Sequence, residues 1–317
     1  MAAVLRALGF ILHIPAVMAL VSAGLCLALN EPVGIPGFAV TAAACLAAGQ
    51  ALRLATRGAP APEHRHALLV AAVAWLVVPL AVALPYLITA HLTGPAPGAA
   101  GVFLRPDNAL FEALSGITAT GLSVVPHPAD LPRHLQWWRS FSEWVGGIGV
   151  VILLLALLPP ERSSLYLFFA EGREEKILPT VKSTVRAIWG IFVAFTVAGF
   201  LLLWAAGEPP WRALNHAMTA IATGGFTITD NSLGGAGTMA KAVYGVLMVV
   251  GAVSFLAHYR LLREGDTTAL LSGSEARLFG VLLVAGSAVL AGEAVWLGSP
   301  IGPLDSTLQW VSALTTT

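Results

Sequence analysis

The segment ITATGLSVV, residues 117–125, follows a short run with helical periodicity, DNALFEALSG at 107–116. The segment is rich in threonine and glycine, and it is too short and too polar to cross a membrane. Similar segments recur at 221–227 (IATGGFT) and at 314–317 (LTTT). Because each follows a long apolar stretch, the sequence predicts a repeated unit of a span, a re-entrant hairpin and a second span.

The whole chain has the composition of a multi-pass membrane protein. Of its 317 residues, 57% are hydrophobic and 11% are charged, and the mean hydropathy is +0.80. A soluble domain has about 25% charged residues. The net charge of zero provides no argument for a nucleic-acid partner. Cys26 and Cys45 lie inside apolar runs and have no metal-binding spacing.

Seven stretches are long and apolar enough to be spans. They are 5–29, 36–55, 67–92, 137–158, 184–206, 239–262 and 275–297. The first is longer than the apolar core of a signal peptide, so it predicts a retained span. A cytoplasmic N-terminus places twelve of the 17 lysines and arginines in inside loops, and the positive-inside rule favours that orientation.

The repeated unit divides the chain into four parts. We expect an N-terminal pair of transmembrane helices at 1–55, pore repeat 1 at 67–158, pore repeat 2 at 184–262 and an incomplete pore repeat 3 at 275–317. An ungapped alignment of the hairpins places 110–121 over 213–224 and over 307–317. In that register His216 lies opposite Ala113 and is interpreted as a packing position.

The hairpins have the chemistry of a cation filter. The C-terminal end of a helix carries about half a negative elementary charge. Backbone carbonyls can replace the hydration shell of a potassium ion, and glycine permits the backbone conformations that this needs. One TATG would be weak evidence, but three copies in matching positions favour a pore. The predicted potassium-filter residues are Thr118, Ala119, Thr120, Gly121, Ile221, Ala222, Thr223, Gly224, Thr315, Thr316 and Thr317. The glycines of WVGGIGVV (144–151) predict close helix packing.

Four motifs carry a family resemblance. They are SGITATG (115–121), EWVGGIGVVILLLALLP (143–159), IATGGFTITDNS (221–232) and SFLAHY (254–259). With them the chain resembles the membrane subunit of the Trk/Ktr potassium-uptake family, in the superfamily of K⁺ transporters. The resemblance implies an all-α polytopic membrane protein, with four span–hairpin–span repeats around one pore after an extra helix pair.

The resemblance also implies a function and partners. It implies channel-like potassium uptake across the bacterial cytoplasmic (inner) membrane, with K⁺ as the transported ion, no covalent cofactor and no enzymatic activity. The implied partners are membrane lipid, a second copy in a homodimer, and a cytosolic nucleotide-binding regulatory ring subunit of the TrkA/KtrA type. The sequence itself contains no P-loop or dinucleotide fingerprint.

The filter glycines match the potassium-selective pattern of the family. Gly121 and Gly224 correspond to its filter glycines, and a serine in the first copy goes with sodium permeation there. Ala119 replaces a threonine that many relatives have. The third filter stops before its glycine and no fourth repeat follows, so we expect a partial sequence.

Three other functions stay open from the residues alone. A cation-coupled secondary transporter would favour inverted repeats, whereas these copies keep one orientation. A membrane-embedded enzyme would need ionisable groups within the spans, and Glu293 is the clearest candidate. The third alternative is a non-conducting membrane scaffold.

Overall fold

The computed structural model describes residues 1–59, 64–94, 99–149, 181–270, 273–298 and 301–317. Within these ranges the regular structure consists of α-helices, 3₁₀ turns and one π-helical turn, and the described residues include no strand. The predicted all-α class is therefore confirmed. The chain divides into two compact units, Met1–Arg186 and Ala187–Thr317.

The first unit contains six described helices with short 3₁₀ turns between some of them. The helices are α1 (Ala2–Ile11), α2 (His13–Ala28), α3 (Ile35–Ala55), α4 (His64–Thr93), α5 (Pro106–Ile117) and α6 (Arg133–Ile148), and the turns are Pro32–Gly34, Ala99–Leu104 and Pro128–Asp130.

The second unit contains the other described helices, the first of which begins shortly before the unit boundary. They are α7 (Val181–Ala205), α8 (Pro210–Ile221), α9 (Thr238–Ala252), α10 (Phe255–Tyr259) with a π-helical continuation (Arg260–Glu264), α11 (Ser274–Trp296) and α12 (Pro303–Thr315).

Five helical stretches of the described chain are long and apolar enough to cross a membrane. They are Ala2–Ala28, Pro32–Ala55, Leu68–Thr93, Ser183–Ala205 and Ser274–Trp296. They coincide with five of the seven predicted spans, so the chain is a multi-pass membrane protein. The predicted span 137–158 begins within α6, and its part from residue 150 onward lies outside the described residues.

The predicted span over 239–262 is broken by a bend in the structure. Helix α9 ends at Ala252, Val253 is extended with ψ 142°, and the helix that follows is bent by 107°. In the bend, Nε2 of His258 donates a hydrogen bond of 2.9 Å to the carbonyl oxygen of Val250. This side chain satisfies a carbonyl that the end of α9 leaves without a helical partner.

Glu31 joins the N-terminal helices to α6. Its carboxylate accepts hydrogen bonds from the backbone N–H groups of Arg133 (3.1 Å) and His134 (3.0 Å), and from Nδ1 of His134 (2.6 Å). These backbone groups belong to the first turn of α6, where helix geometry leaves N–H groups unsatisfied and favours negative charge. Trp137 adds a bond of 3.1 Å from its indole N–H to the Ser22 hydroxyl.

A glycine in α6, and another in α9, faces the end of the preceding short helix. A Cβ atom on Gly146 would overlap the carbonyl oxygen of Ile117, and one on Gly251 would lie 2.7 Å from the carbonyl oxygen of Ile221. A real Cβ does not approach a backbone oxygen so closely, so only glycine fits at these two positions. The close packing predicted from WVGGIGVV is confirmed at Gly146.

Replacing Glu31 tests its link to α6. We expect Glu31→Gln to lower the free energy of unfolding at pH 7 by about 1.5–3 kcal/mol, the usual contribution of hydrogen bonds to a charged group. Thermal melts of the purified protein in detergent, followed by tryptophan fluorescence, would measure the loss. The exposed Glu264 provides the matched control, because Glu264→Gln should leave the melt unchanged.

The difference in stability between wild type and Glu31→Gln should depend on pH. Partial burial acts to raise the pKa of Glu31, but hydrogen bonds from His134 and Arg133 outweigh it and leave the pKa below its usual value. A lowered pKa stabilises the fold above the unfolded-state value of about 4.3, and this stabilisation is lost as the pH falls through the folded-state pKa. The difference between wild type and Glu31→Gln should therefore shrink at acid pH. An equal difference at pH 7 and pH 3 would contradict a role for the charge.

Alanine at the packing glycines should destabilise the protein in a defined order. We expect Gly146→Ala to cost about 3 kcal/mol, the upper end of the usual cost of overpacking, because a backbone atom blocks the methyl group. Gly251→Ala should cost less. Gly190→Ala, where a Cβ would meet nothing within 4 Å, should cost nothing. Thermal melts of the three variants would show this order, and equal stability of Gly146→Ala and Gly190→Ala would contradict it.

Candidate functional site: three hairpin helix ends

The three short helices α5, α8 and α12, called the hairpin helices below, begin in the same way. Each has proline in its first turn, at Pro106, Pro210 and Pro303, and the helices contain 12, 12 and 13 residues. Proline is favourable at this position because its missing N–H would be unsatisfied in any residue. The shared start sets the register in which the three helices correspond.

The hairpin helices also end in the same way. In each, an N–H just past the helix end donates to the carbonyl five residues earlier, as in a Schellman motif. The three bonds are Thr120 to Ser115 (2.9 Å), Gly224 to Thr219 (3.0 Å) and Thr317 to Ser312 (3.0 Å). The chain therefore leaves the three helices along the same local path.

The residue that turns the chain at each end has a left-handed backbone. The φ angles are 51° at Ala119, 51° at Thr223 and 58° at Thr316. This conformation costs an L-residue about 1–2 kcal/mol, and it is least expected of a β-branched threonine. Glycine usually occupies this position after a helix. Recurrence of the same strain at three matching positions indicates a functional constraint.

The second copy is shifted by one residue from the ungapped alignment. Ile221 is the last residue of α8, so Ala222–Gly225 correspond to Thr118–Gly121. The glycine with positive φ in the second copy is Gly225 (φ 88°), the counterpart of Gly121 (φ 75°). The register that paired Gly224 with Gly121 was therefore wrong. That register was chosen by matching apolar-polar residue pairs, which locate the correspondence less precisely than the prolines at the helix starts do.

Hydroxyl groups stabilise two of the three ends. Thr118 Oγ1 donates to the Leu114 carbonyl at 2.7 Å, and it lies 2.7 Å from Oγ1 of Thr120. In the third copy Thr315 Oγ1 donates to Val311 at 2.8 Å and lies 2.9 Å from Oγ1 of Thr317. The second copy has no hydroxyl at these two positions, since Ala222 and Gly224 occupy them.

A buried ion pair holds the first hairpin. Glu112 in α5 is fully buried, and its Oε1 lies 2.6 Å from Nε of Arg139 in α6, which is 1% exposed. The same carboxylate accepts hydrogen bonds from the Ser123 hydroxyl (2.9 Å) and from the Val124 N–H (3.0 Å). The ion pair thus contacts the chain directly after the turn at Gly121.

His216 has the corresponding position in the second hairpin. Its Nε2 accepts a hydrogen bond of 3.2 Å from the Ile228 N–H, and its Nδ1 lies 2.9 Å from the hydroxyl of Tyr244 in α9. In the register of the structure His216 corresponds to Glu112. His216 is buried, as a packing position would be, and its hydrogen bonds to Ile228 and Tyr244 are contacts that the shifted alignment did not predict.

The second and third copies meet within the second unit. A Cβ on Gly225 would lie 2.8 Å from the backbone carbonyl carbon of Thr317. A cavity of about 390 Å³ adjoins this contact, and its lining includes Thr219, Thr227 and Gln309. The two hairpin ends thus border one space lined partly by polar groups.

The cysteines and Glu293, which the sequence analysis considered, lie outside the hairpins. Among the described residues there is no cluster of three His, Cys, Asp or Glu side chains that could hold a metal ion. Cys26 and Cys45 are buried free thiols. Glu293, the ionisable residue considered for an enzyme, is exposed on α11. Glu112 with Arg139 is a buried ionisable pair that composition alone does not reveal.

Comparisons with known proteins agree with this architecture. Residues 35–288 match the TrkH family model, described as a cation transport protein. The chain is 33% identical over 241 residues to the Trk system potassium uptake protein TrkH of Halomonas elongata, which covers 74% of this chain and 48% of that protein. It is 32% identical over 215 residues to an uncharacterized cation transporter of Methanocaldococcus jannaschii, which covers 68% of this chain and 43% of that protein.

The fold is shared with a solved structure. The crystal structure of the potassium transporter TrkH from Vibrio parahaemolyticus matches with a TM-score of 0.82 and 24% sequence identity, over 99% of this chain and 64% of that chain. This chain spans about half the length of the curated relatives that it matches. The predicted resemblance is confirmed, since the family model covers more than half of the residues, and the chain belongs to the TrkH family of cation transport proteins.

Proposed function

We propose that this chain takes part in potassium uptake and that its three hairpin ends are walls of the selectivity filter. The observation that carries the proposal is the left-handed turn that follows each hairpin helix, at Ala119, Thr223 and Thr316. Packing on Gly146 and Gly251 makes the first two helices end where they do, but it does not require a left-handed Ala or Thr in place of the usual glycine. A filter does require a defined backbone, because its backbone oxygens must lie at defined distances from an ion.

The electrostatics of the hairpins favour a cation. The C-terminal end of each hairpin helix carries about half a negative elementary charge. The chain beyond each end is not helical, so its carbonyl groups are free of the helical hydrogen-bond pattern. In the register of the structure, the proposed filter residues are Thr118–Gly121 and Ala222–Gly225, together with residues 315–317.

The relatives support potassium as the ion. Trk system potassium uptake proteins are among the matched relatives, and the matched solved structure is titled a potassium transporter. By analogy we propose that the complete protein lies in the bacterial inner membrane with a cytoplasmic N-terminus. We also propose that it works as a homodimer with a cytosolic nucleotide-binding ring subunit, and that the predicted repeats 67–158, 184–262 and 275–317 are pore repeats.

Serine at the first filter glycine tests the proposal. The full-length gene would be expressed in a bacterium that lacks potassium uptake, and growth at low potassium would be measured beside a Gly121→Ser variant. We expect wild type to restore growth. We expect Gly121→Ser to lose growth or to admit sodium, because φ is 75° at this residue and a side chain there displaces the filter backbone.

A second glycine provides the matched control for backbone strain. Gly94 also has a positive φ, 71°, and a Cβ there would meet nothing within 4 Å. Gly94→Ser should therefore restore growth as wild type does. Equal growth of Gly121→Ser and wild type would show that the segment 117–125 is only packing. A membrane-inserted wild type that fails to restore growth would contradict potassium uptake and favour a coupled transporter of another solute or a scaffold.

A further inference from the structure

The chain that follows each turn is held by a side chain of the hairpin helix. We call residues 122–125 and 226–229 the return segments. In the first, Val124 donates its N–H to Oε2 of Glu112 at 3.0 Å. In the second, Ile228 donates its N–H to Nε2 of His216 at 3.2 Å. Val124 and Ile228 both lie three residues after the positive-φ glycine of their copy, so the two bonds are equivalent.

The helix after each hairpin supplies the second partner. Arg139 in α6 contacts Glu112, and Tyr244 in α9 contacts His216. Each partner lies seven residues before the glycine that packs on the end of the hairpin helix. Arg139 precedes Gly146 in this way, and Tyr244 precedes Gly251. The same position therefore supports the hairpin side chain in both copies, although the residue types differ.

A hydroxyl group adds further hydrogen bonds in the first return segment. The Ser123 hydroxyl donates to Glu112 at 2.9 Å, and it accepts from Nη2 of Arg139 (3.1 Å) and from the N–H of Val125 (3.0 Å). Hydrogen bonds to charged groups are about twice as strong as neutral ones. The first segment thus has a charged support, the ion pair of Glu112 and Arg139.

Stability alone explains this arrangement poorly. A buried ion pair contributes little net stability, because desolvation of the charges offsets their attraction. A well-packed apolar pair would serve as well at both positions. What the two copies share is a hydrogen bond to the backbone N–H that lies three residues after the filter glycine.

We propose that Glu112 with Arg139, and His216 with Tyr244, are two forms of one brace that positions the return segments and thereby sets ion discrimination. These are positioning residues, and the proposal rests on the proposed function. Discrimination between potassium and sodium depends on where filter oxygens lie, and functional geometry must be held within about 0.5 Å. Gln309 has the corresponding position in α12, so glutamine is a residue type that this chain itself uses there.

The test uses paired substitutions at His216 in the full-length protein. Glutamine keeps an acceptor for the Ile228 N–H, whereas leucine keeps the bulk and removes the acceptor. The readout is the ratio of ⁸⁶Rb⁺ to ²²Na⁺ uptake in cells, with KM and maximal rate determined for each ion. We expect His216→Gln to keep the wild-type ratio. We expect His216→Leu to lower it about tenfold, the factor that corresponds to about 1.4 kcal/mol.

Two further variants separate positioning from folding. Met218→Leu, a buried volume-conserving change in the same helix, should keep the wild-type ratio. Tyr244→Phe removes only the hydroxyl that supports His216, so it remains measurable if His216→Leu does not accumulate in the membrane. We expect Tyr244→Phe to lower the ratio severalfold by raising KM for Rb⁺ relative to Na⁺.

The outcomes distinguish this proposal from the proposed function. Equal ratios in His216→Gln and His216→Leu, or an unchanged ratio in Tyr244→Phe, would overturn the brace while uptake by wild type upholds the transport function. A fall in maximal rate for both ions with an unchanged ratio would show a merely structural role. Absence of Rb⁺ uptake by a membrane-inserted wild type would overturn the transport function, and the brace with it.

Discussion

In the first two hairpins, the contact between the end of the hairpin helix and a glycine of the next helix is the constraint on which the rest of the hairpin depends. At Gly146 and Gly251 the backbone carbonyls of the hairpin helix lie where any side chain would be. A helix cannot continue in that direction, so the chain must turn at once. The left-handed residue supplies that turn, and the Schellman hydrogen bond satisfies the carbonyls that remain.

Contacts on either side of that turn stabilise its strained backbone. A left-handed alanine or threonine is unfavourable by itself, and it persists only where the surroundings determine the backbone. Here the helix start is set by proline, the helix end by the packing glycine, and the return segment by Glu112 or His216. Three independent contacts thus leave the turn with one available conformation.

Much of this architecture could be predicted from local patterns. Apolar stretches of about 20 residues locate spans without reference to the rest of the chain, and the structure has helices at five of the predicted ones. At 239–262 the apolar pattern gave no sign of the bend after Ala252, because hydropathy does not depend on the direction of the backbone, and there a side-chain bond from His258 reaches the Val250 carbonyl. Short helices also end where the hairpins were predicted, since threonine and glycine after a short helix are a local signal.

The sequence by itself determined the helical class, the positions of the described spans and hairpins, and the family, because these depend on residues close together in the chain. The tertiary structure decided the register of the second hairpin and the partners of Glu112 and His216. The prolines of the hairpin starts are 104 positions apart (Pro106 and Pro210), and the packing glycines are 105 apart. The ungapped alignment of 110–121 with 213–224 has an offset of 103 positions, which matches neither distance, and only contacts across the fold show which side chains meet.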